Sequence, residues 1–141
     1  MKRHEALIPL SREHHDALIL ARLLQKDAPA YKGLPQEPGA KAVYALHFFK
    51  TNLAAHFIKE EVLLQQVKKY NSEIEILAGE IILEHQELLN MFNKLTDSPP
   101  LTETLDRLGK KLEEHIRKEE RFLFPLIQEY CPEEILRDIV L

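Results

Sequence analysis

The chain has 141 residues, 45% of them hydrophobic and 30% charged, which is enough apolar material for one core and the usual length of a single domain, residues 1–141. Its net charge of −4, with both signs mixed along the chain, offers no basic face for nucleic acid and no polybasic patch for an anionic membrane. One cysteine, Cys131, excludes an intrachain disulfide and suits a reducing compartment, so the expectation is a soluble, cytoplasmic protein.

The first residues, MKRHEALIPL, carry Lys2 and Arg3, but His4, Glu5 and Pro9 interrupt any signal-peptide core, and His4 reads as part of a mobile terminus. From there, apolar residues recur every three to four positions and predict helices over about 10–27, 40–69, 72–95 and 101–129. The breaks between them are the Gly/Pro-rich stretch 27–39, the softer Tyr70-Asn71-Ser72, and 96–100 (TDSPP). Near the fourth start, Asp97, Ser98 and Thr102 are capping candidates, and Pro99 and Pro100 suit a first turn. The longest apolar run, 122–127, has six residues and contains Pro125, far short of the roughly 18 that span a bilayer. A short tail helix follows Cys131-Pro132. No segment alternates with period two, so the expected fold is all-α, an antiparallel up-down-up-down four-helix bundle with a short C-terminal helix.

The second and fourth helices carry the same pattern. His56-Phe57-Ile58-Lys59-Glu60 and His115-Ile116-Arg117-Lys118-Glu119 each place a histidine four residues before a glutamate. At that spacing two side chains stand one turn apart and about 40° around the axis, so an imidazole nitrogen and a carboxylate can reach one cation. The first and third helices carry Glu13-His14-His15 and Glu84-His85, so each half of the chain offers three ligand-type residues.

The candidate ligands lie on apolar stripes: His56 with Phe49, Leu53, Leu63 and Leu64; His115 with Leu108, Leu112, Phe122 and Leu123; His85 with Ile81, Ile82, Leu88, Leu89 and Phe92. In the first helix His15 shares a face with Ile8, Leu18, Ile19 and Leu23, and His14 with Leu7, Leu10, Ala17, Leu18 and Ala21. Matching His15-to-Leu18 onto His85-to-Leu88 favours His15, which leaves His14 as a hydrogen-bond partner or an exposed residue. Taken singly, such a histidine is usually a core residue and such a pair usually a surface ion pair. Taken together they favour a metal: burying Glu60 and Glu119 without counter-charge would cost roughly several kcal/mol, and a shared cation removes that cost. Carboxylates that bridge two ions make a two-metal centre, and imidazole with carboxylate suits iron, manganese or zinc.

Glu61 and Glu120 point about 100° away from the adjacent candidate ligands and read as solvated or paired with Lys and Arg. His47 is out of phase with His56, Tyr44 and Tyr70 read as packing residues, and Cys131 as a bystander.

From His15 to about Pro125 the chain resembles the haemerythrin-like, or HHE cation-binding, domains, and the stretches HFIKEEVLL and HIRKEERFLFP carry the likeness. The resemblance implies an antiparallel four-helix bundle around a centre of two iron ions. It assigns His15, His56, His85 and His115 as imidazole ligands and Glu60 and Glu119 as bridging carboxylates. Oxygen-carrying members have a second histidine on the third helix where this chain has Leu89, and an aspartate where it has Glu120. Four histidines instead of five resemble the bacterial members linked to iron–sulfur repair. The implied function is binding or reaction of a small diatomic, dioxygen or nitric oxide, in sensing, detoxification or iron handling, with a redox partner for cycling. The alternative is a metal-buffering or protein-interaction bundle.

Overall fold

A computed structural model describes residues 2–97 and 101–141. Among these residues all regular structure is helical: α1 (Ile8–Leu24), α2 (Pro38–Phe48), α3 (Ala54–Val67), α4 (Ser72–Asn93), α5 (Leu101–Lys118), α6 (Phe124–Tyr130) and α7 (Glu133–Arg137). π-helical segments, Phe49–Leu53 and Glu119–Leu123, join α2 to α3 and α5 to α6, so the chain forms four long rods and a short tail helix. No helix among the described residues is long and apolar enough to cross a membrane.

The local causes are readable. α4 begins where the Asn71 side chain accepts the backbone N–H groups of Glu73 and Ile74 at 2.8 and 3.2 Å, satisfying donors that a helix start leaves unpaired. Ser98, Pro99 and Pro100 lie outside the described residues; Asp97 stands in a turn and Thr102 inside the first turn of α5. In the fourth rod, Pro125 lacks an N–H and would meet the carbonyl four residues back in a regular helix. The π segment widens the coil just before it, and the Phe124 N–H donates to the Glu119 carbonyl five residues back. One residue is thereby inserted: Leu123 and Phe124 turn inward, while Phe122, expected on the buried stripe of His115, is 60% exposed.

Contacts between rods show their directions. Arg3 before α1, Ser11 within it and Lys26 after it meet Gln128, Glu120 and Glu103 in turn, so the first and last rods are antiparallel. Along α4, Glu80, Glu84 and Glu87 meet Lys118, His115 and Lys111, so the third and last rods are antiparallel too. α1 and α5 approach so closely that a Cβ on Gly109 would lie 2.5 Å from the Ala21 carbonyl oxygen, which explains a glycine in mid-helix.

Apolar side chains form two clusters. One gathers Ala17 to Leu24, Ala42 to Phe57, Leu88 to Leu95 and Leu105 to Ile116, and Tyr31 and Leu34 of the Gly/Pro-rich connection pack against it. The other gathers Leu7, Leu10, Leu63 to Val67, Ile74 to Ile81 and Leu123 to Leu136. Each rod passes from one cluster to the other, and six of the buried polar residues, His14, His56, Glu60, His85, His115 and Glu119, occupy the layer between. Tyr44 and Tyr70 pack on opposite clusters, as packing residues do.

The amino terminus is pinned. Arg3 reaches Glu120 at 2.9 Å and Gln128 at 3.2 Å, and His4 Nε2 lies 3.0 Å from Glu133 of α7. The expectation of a mobile His4 is therefore corrected: the side chains of Gln128 and Glu133 hold it.

Candidate metal centre

Between the two apolar clusters, His14, His56, Glu60, His85, His115 and Glu119 are all buried, one or two from each rod. One ligand atom from each of Glu60, His85, His115 and Glu119 lies within 4.8 Å of the others, and so do those of His14, His56 and Glu60. Glu60 belongs to both groups. Glu119 also reaches across, its Oε1 being 3.4 Å from His14 Nε2 and 3.1 Å from His115 Nε2. Glu60 Oε2 lies 3.0 Å from both His14 Nε2 and His56 Nε2, and its Oε1 lies 3.0 Å from His85 Nε2. All four imidazoles thus aim Nε2 at one pair of carboxylates.

The opposite ring nitrogens are held as uniformly. His14 Nδ1 is 2.6 Å from Glu120, His56 Nδ1 2.9 Å from Glu13, His85 Nδ1 2.8 Å from Glu61 and His115 Nδ1 2.7 Å from Glu84. An ionised carboxylate only accepts, so each Nδ1 carries a proton and donates it. That bond fixes ring orientation and leaves each Nε2 as the inward-facing nitrogen, the arrangement found around metal-bound histidines. Aromatic rings steady two of them: His85 stacks on Phe57 at 4.1 Å and His14 on Phe124 at 5.6 Å.

Charge decides what this cluster needs. Glu119 Oε1 and Oε2, His56 Nε2 and His115 Nε2 are buried with no hydrogen-bond partner among the described residues, although the two nitrogens stand at ion-pair distance from carboxylates. Proximity without hydrogen-bond alignment leaves lone pairs converging on a common interior, an expensive arrangement unless something positive lies among them. Without a metal, protons must do this. Burial alone would lower the His14 pKa, but the neighbouring carboxylates of Glu119, Glu120 and Glu60 outweigh that and push it up to about 12. His115 is likewise lowered by burial and raised by Glu119 and Glu84, to about 10. Glu60, disfavoured as an anion by burial, is still held well below the usual carboxylate range by Glu119 and the imidazoles around it. A divalent cation bound at these oxygens and Nε2 atoms would supply the same positive charge and displace the protons. The donor set therefore fits metal ions.

The structure brings together His56, Glu60, His85, His115 and Glu119 of the predicted set but not His15, which is exposed. The sixth residue is His14. The buried face of α1 runs Leu10, His14, Ala17, Leu20, Ala21 and Leu24, and the rotation that buries this stripe turns His15 to solvent beside the exposed Ile19. Glu61 and Glu120 are also reassigned: each binds an imidazole of another rod, Glu61 reaching from α3 to α4 and Glu120 from the last rod to α1. Glu13 and Glu84, given no role above, do the same for His56 and His115. A signal for them lay in the repeat itself. Glu13-His14 matches Glu84-His85, and Glu60-Glu61 matches Glu119-Glu120, so the two halves share Glu-His on one rod and His-x-x-x-Glu-Glu on the next.

Searches of curated proteins and of solved structures find no match to this chain. A family model does: the hemerythrin HHE cation binding domain matches residues 6–127, which include every residue of the buried cluster and all four outer glutamates. The chain therefore belongs to the hemerythrin HHE cation-binding family of metal-binding helical proteins.

Proposed function

We propose that this protein is a non-haem di-iron protein that binds or reacts with a small diatomic, dioxygen or nitric oxide, in sensing, detoxification or iron handling that includes iron–sulfur repair. Its ligands would be His14, His56, His85 and His115, with Glu60 and Glu119 shared between the ions. The observation that carries this reading is the convergence of four Nε2 atoms on two buried carboxylates, with both oxygens of Glu119 lacking a hydrogen-bond partner among the described residues. When bound, two irons supply ferrous–ferric redox chemistry and coordination positions for an added ligand. Two imidazoles and two shared carboxylates per ion leave such positions open.

The chain's own part is to hold the site ready. The four outer glutamates keep each Nδ1 protonated and each Nε2 directed inward. The apolar clusters on either side keep bulk water from the carboxylate pair. Among the described residues no hydroxyl or thiol is hydrogen-bonded to the six clustered side chains, Ser11 reaching only the outer Glu120 at 2.8 Å, and Cys131 stands in the apolar cluster at one end, so a small ligand is favoured over an organic substrate. A redox partner would return the irons to the ferrous state, and the reduced lone cysteine favours a cytoplasmic setting.

Elemental analysis of protein made with ample iron, followed by spectra of the reduced protein before and after dioxygen or nitric oxide, tests this. About two irons per chain and a spectral change on adding the gas are expected. Two irons with an unchanged spectrum would reduce the function to metal buffering. Replacing both Glu60 and Glu119 by alanine should abolish binding of the ion pair while helical content persists. Unaltered stoichiometry in that variant would show that other residues are the ligands.

A further inference from the structure

The seam between α4 and the last rod changes character along its length. From Glu87 to Glu80 it is closed by ion pairs, Glu87 with Lys111 at 2.6 Å, and both Glu84 and Glu80 with Lys118. Further toward the start of α4 the pairing stops and the seam opens into an apolar groove of about 480 Å³. Ile76 and Phe122 stand in it 63% and 60% exposed, flanked by Leu126. A phenylalanine and an isoleucine left in water on one patch are costly for a lone chain and ordinary for an interface.

Arg121, Glu73 and Glu129 rim the groove, and none of their charged groups has a hydrogen bond or ion pair among the described residues. The rim thus holds one free cation and two free anions around an apolar centre. A strongly acidic or basic partner would satisfy one sign and leave the other facing like charge. A two-fold related copy satisfies both, because the same patch presents Arg121 to the partner's carboxylates and carboxylates to the partner's arginine.

We infer that this groove is a self-association face, closed by a second copy of the same chain about a two-fold axis, with Phe122 and Ile76 buried at its centre. The cause lies in the fold: the π segment that accommodates Pro125 is what turns Phe122 outward. The interface is independent of which metal, or which gas, the centre takes.

Sedimentation equilibrium of the full chain from low micromolar to near-millimolar concentration reads the result. The expected outcome is a concentration-dependent dimer whose dissociation constant rises at least about tenfold in Phe122→Ser and in Ile76→Ser, losses typical of buried anchors. Ile76 is an exposed side chain of α4 and no member of the buried cluster, so unchanged metal content and an unchanged helical signal should accompany its effect and separate it from damage to the centre. Arg121→Glu alone should weaken the dimer, and mixing it with Glu73→Arg/Glu129→Arg chains should restore pairing as a heterodimer. A monomer at every concentration, or a dimer indifferent to both apolar substitutions, overturns the assignment.

Discussion

The first two rods and the last two bring the same side chains to the centre, but they support them differently. Glu120, behind His14, is held by Arg3 at 2.9 Å and by Ser11 at 2.8 Å; Glu13, behind His56, is held by Lys59 at 3.0 Å. In the second half Glu84, behind His115, is paired with Lys118 at 2.9 Å, whereas Glu61, behind His85, is 42% exposed and has no cation among the described residues. A cavity of about 40 Å³, near the scale of one small molecule, lies against His56 in the first half. Repetition supplied the candidate side chains, packing chose which of them face the centre, and the outer charges then made its four corners unequal.

The largest test of this comparison is His14→Ala against His15→Ala. The first removes one of two imidazoles from its half and should cost that half its ion, so metal content falls toward one per chain; the second should leave content unchanged. Equal losses in both would show that α1 is rotated differently from the structure.

The pH dependence sharpens it next. In chelator-treated protein His14 and His115, one from each half, have pKa values raised to about 12 and about 10, above the roughly 6.5 of an unfolded chain. Raised values mean stabilisation that is complete below about pH 6.5 and is lost as pH climbs through about 10 and then about 12. A bound metal needs neutral imidazoles, so its hold strengthens over the same rise. The melting-temperature gap between metal-loaded and metal-free protein should therefore widen from pH 6 to 10. A constant gap would mean that protons and metal do not compete for these atoms.

Among the outer carboxylates, Glu61→Gln and Glu84→Gln should each weaken metal binding about 10- to 100-fold, as losses of such partners commonly do. Chelator competition at low and high salt separates them. The Glu61 effect should shrink with salt, because only bulk ions screen that carboxylate, while the Glu84 effect should not, Lys118 already being in place.

The smallest expected effects concern two mid-helix glycines, one from each side of the bundle. Gly109→Ala places a methyl against the Ala21 carbonyl and should destabilise by about 1–3 kcal/mol, the usual cost of overpacking. Gly79→Ala on α4 meets nothing within 4 Å and should stabilise by about 0.5–1 kcal/mol through helix propensity. Thermal denaturation reads both, and a stabilising Gly109→Ala would refute the close approach of α1 and α5.

Much of this protein was decided by short-range spacing. Helix period and helix breakers are local properties, so the four rods were legible, and their ends fell within a few residues of expectation. His56 with Glu60 and His115 with Glu119 were legible for the same reason: a separation of four residues within one helix fixes their relative placement wherever the helix goes. The rotation of each rod about its own axis was not local. His14 and His15 differ by about 100° around α1, and only packing against the other rods chose between them. The inward turn of Leu123 instead of Phe122 depended on a π segment, which shifts the register of everything after it. The four outer glutamates each serve a histidine on a different rod, a relation that exists only once the rods are assembled. Sequence alone determined which side chains could meet a metal. Tertiary packing decided which of them do face one another, because facing depends on how neighbouring helices are turned and how closely they approach.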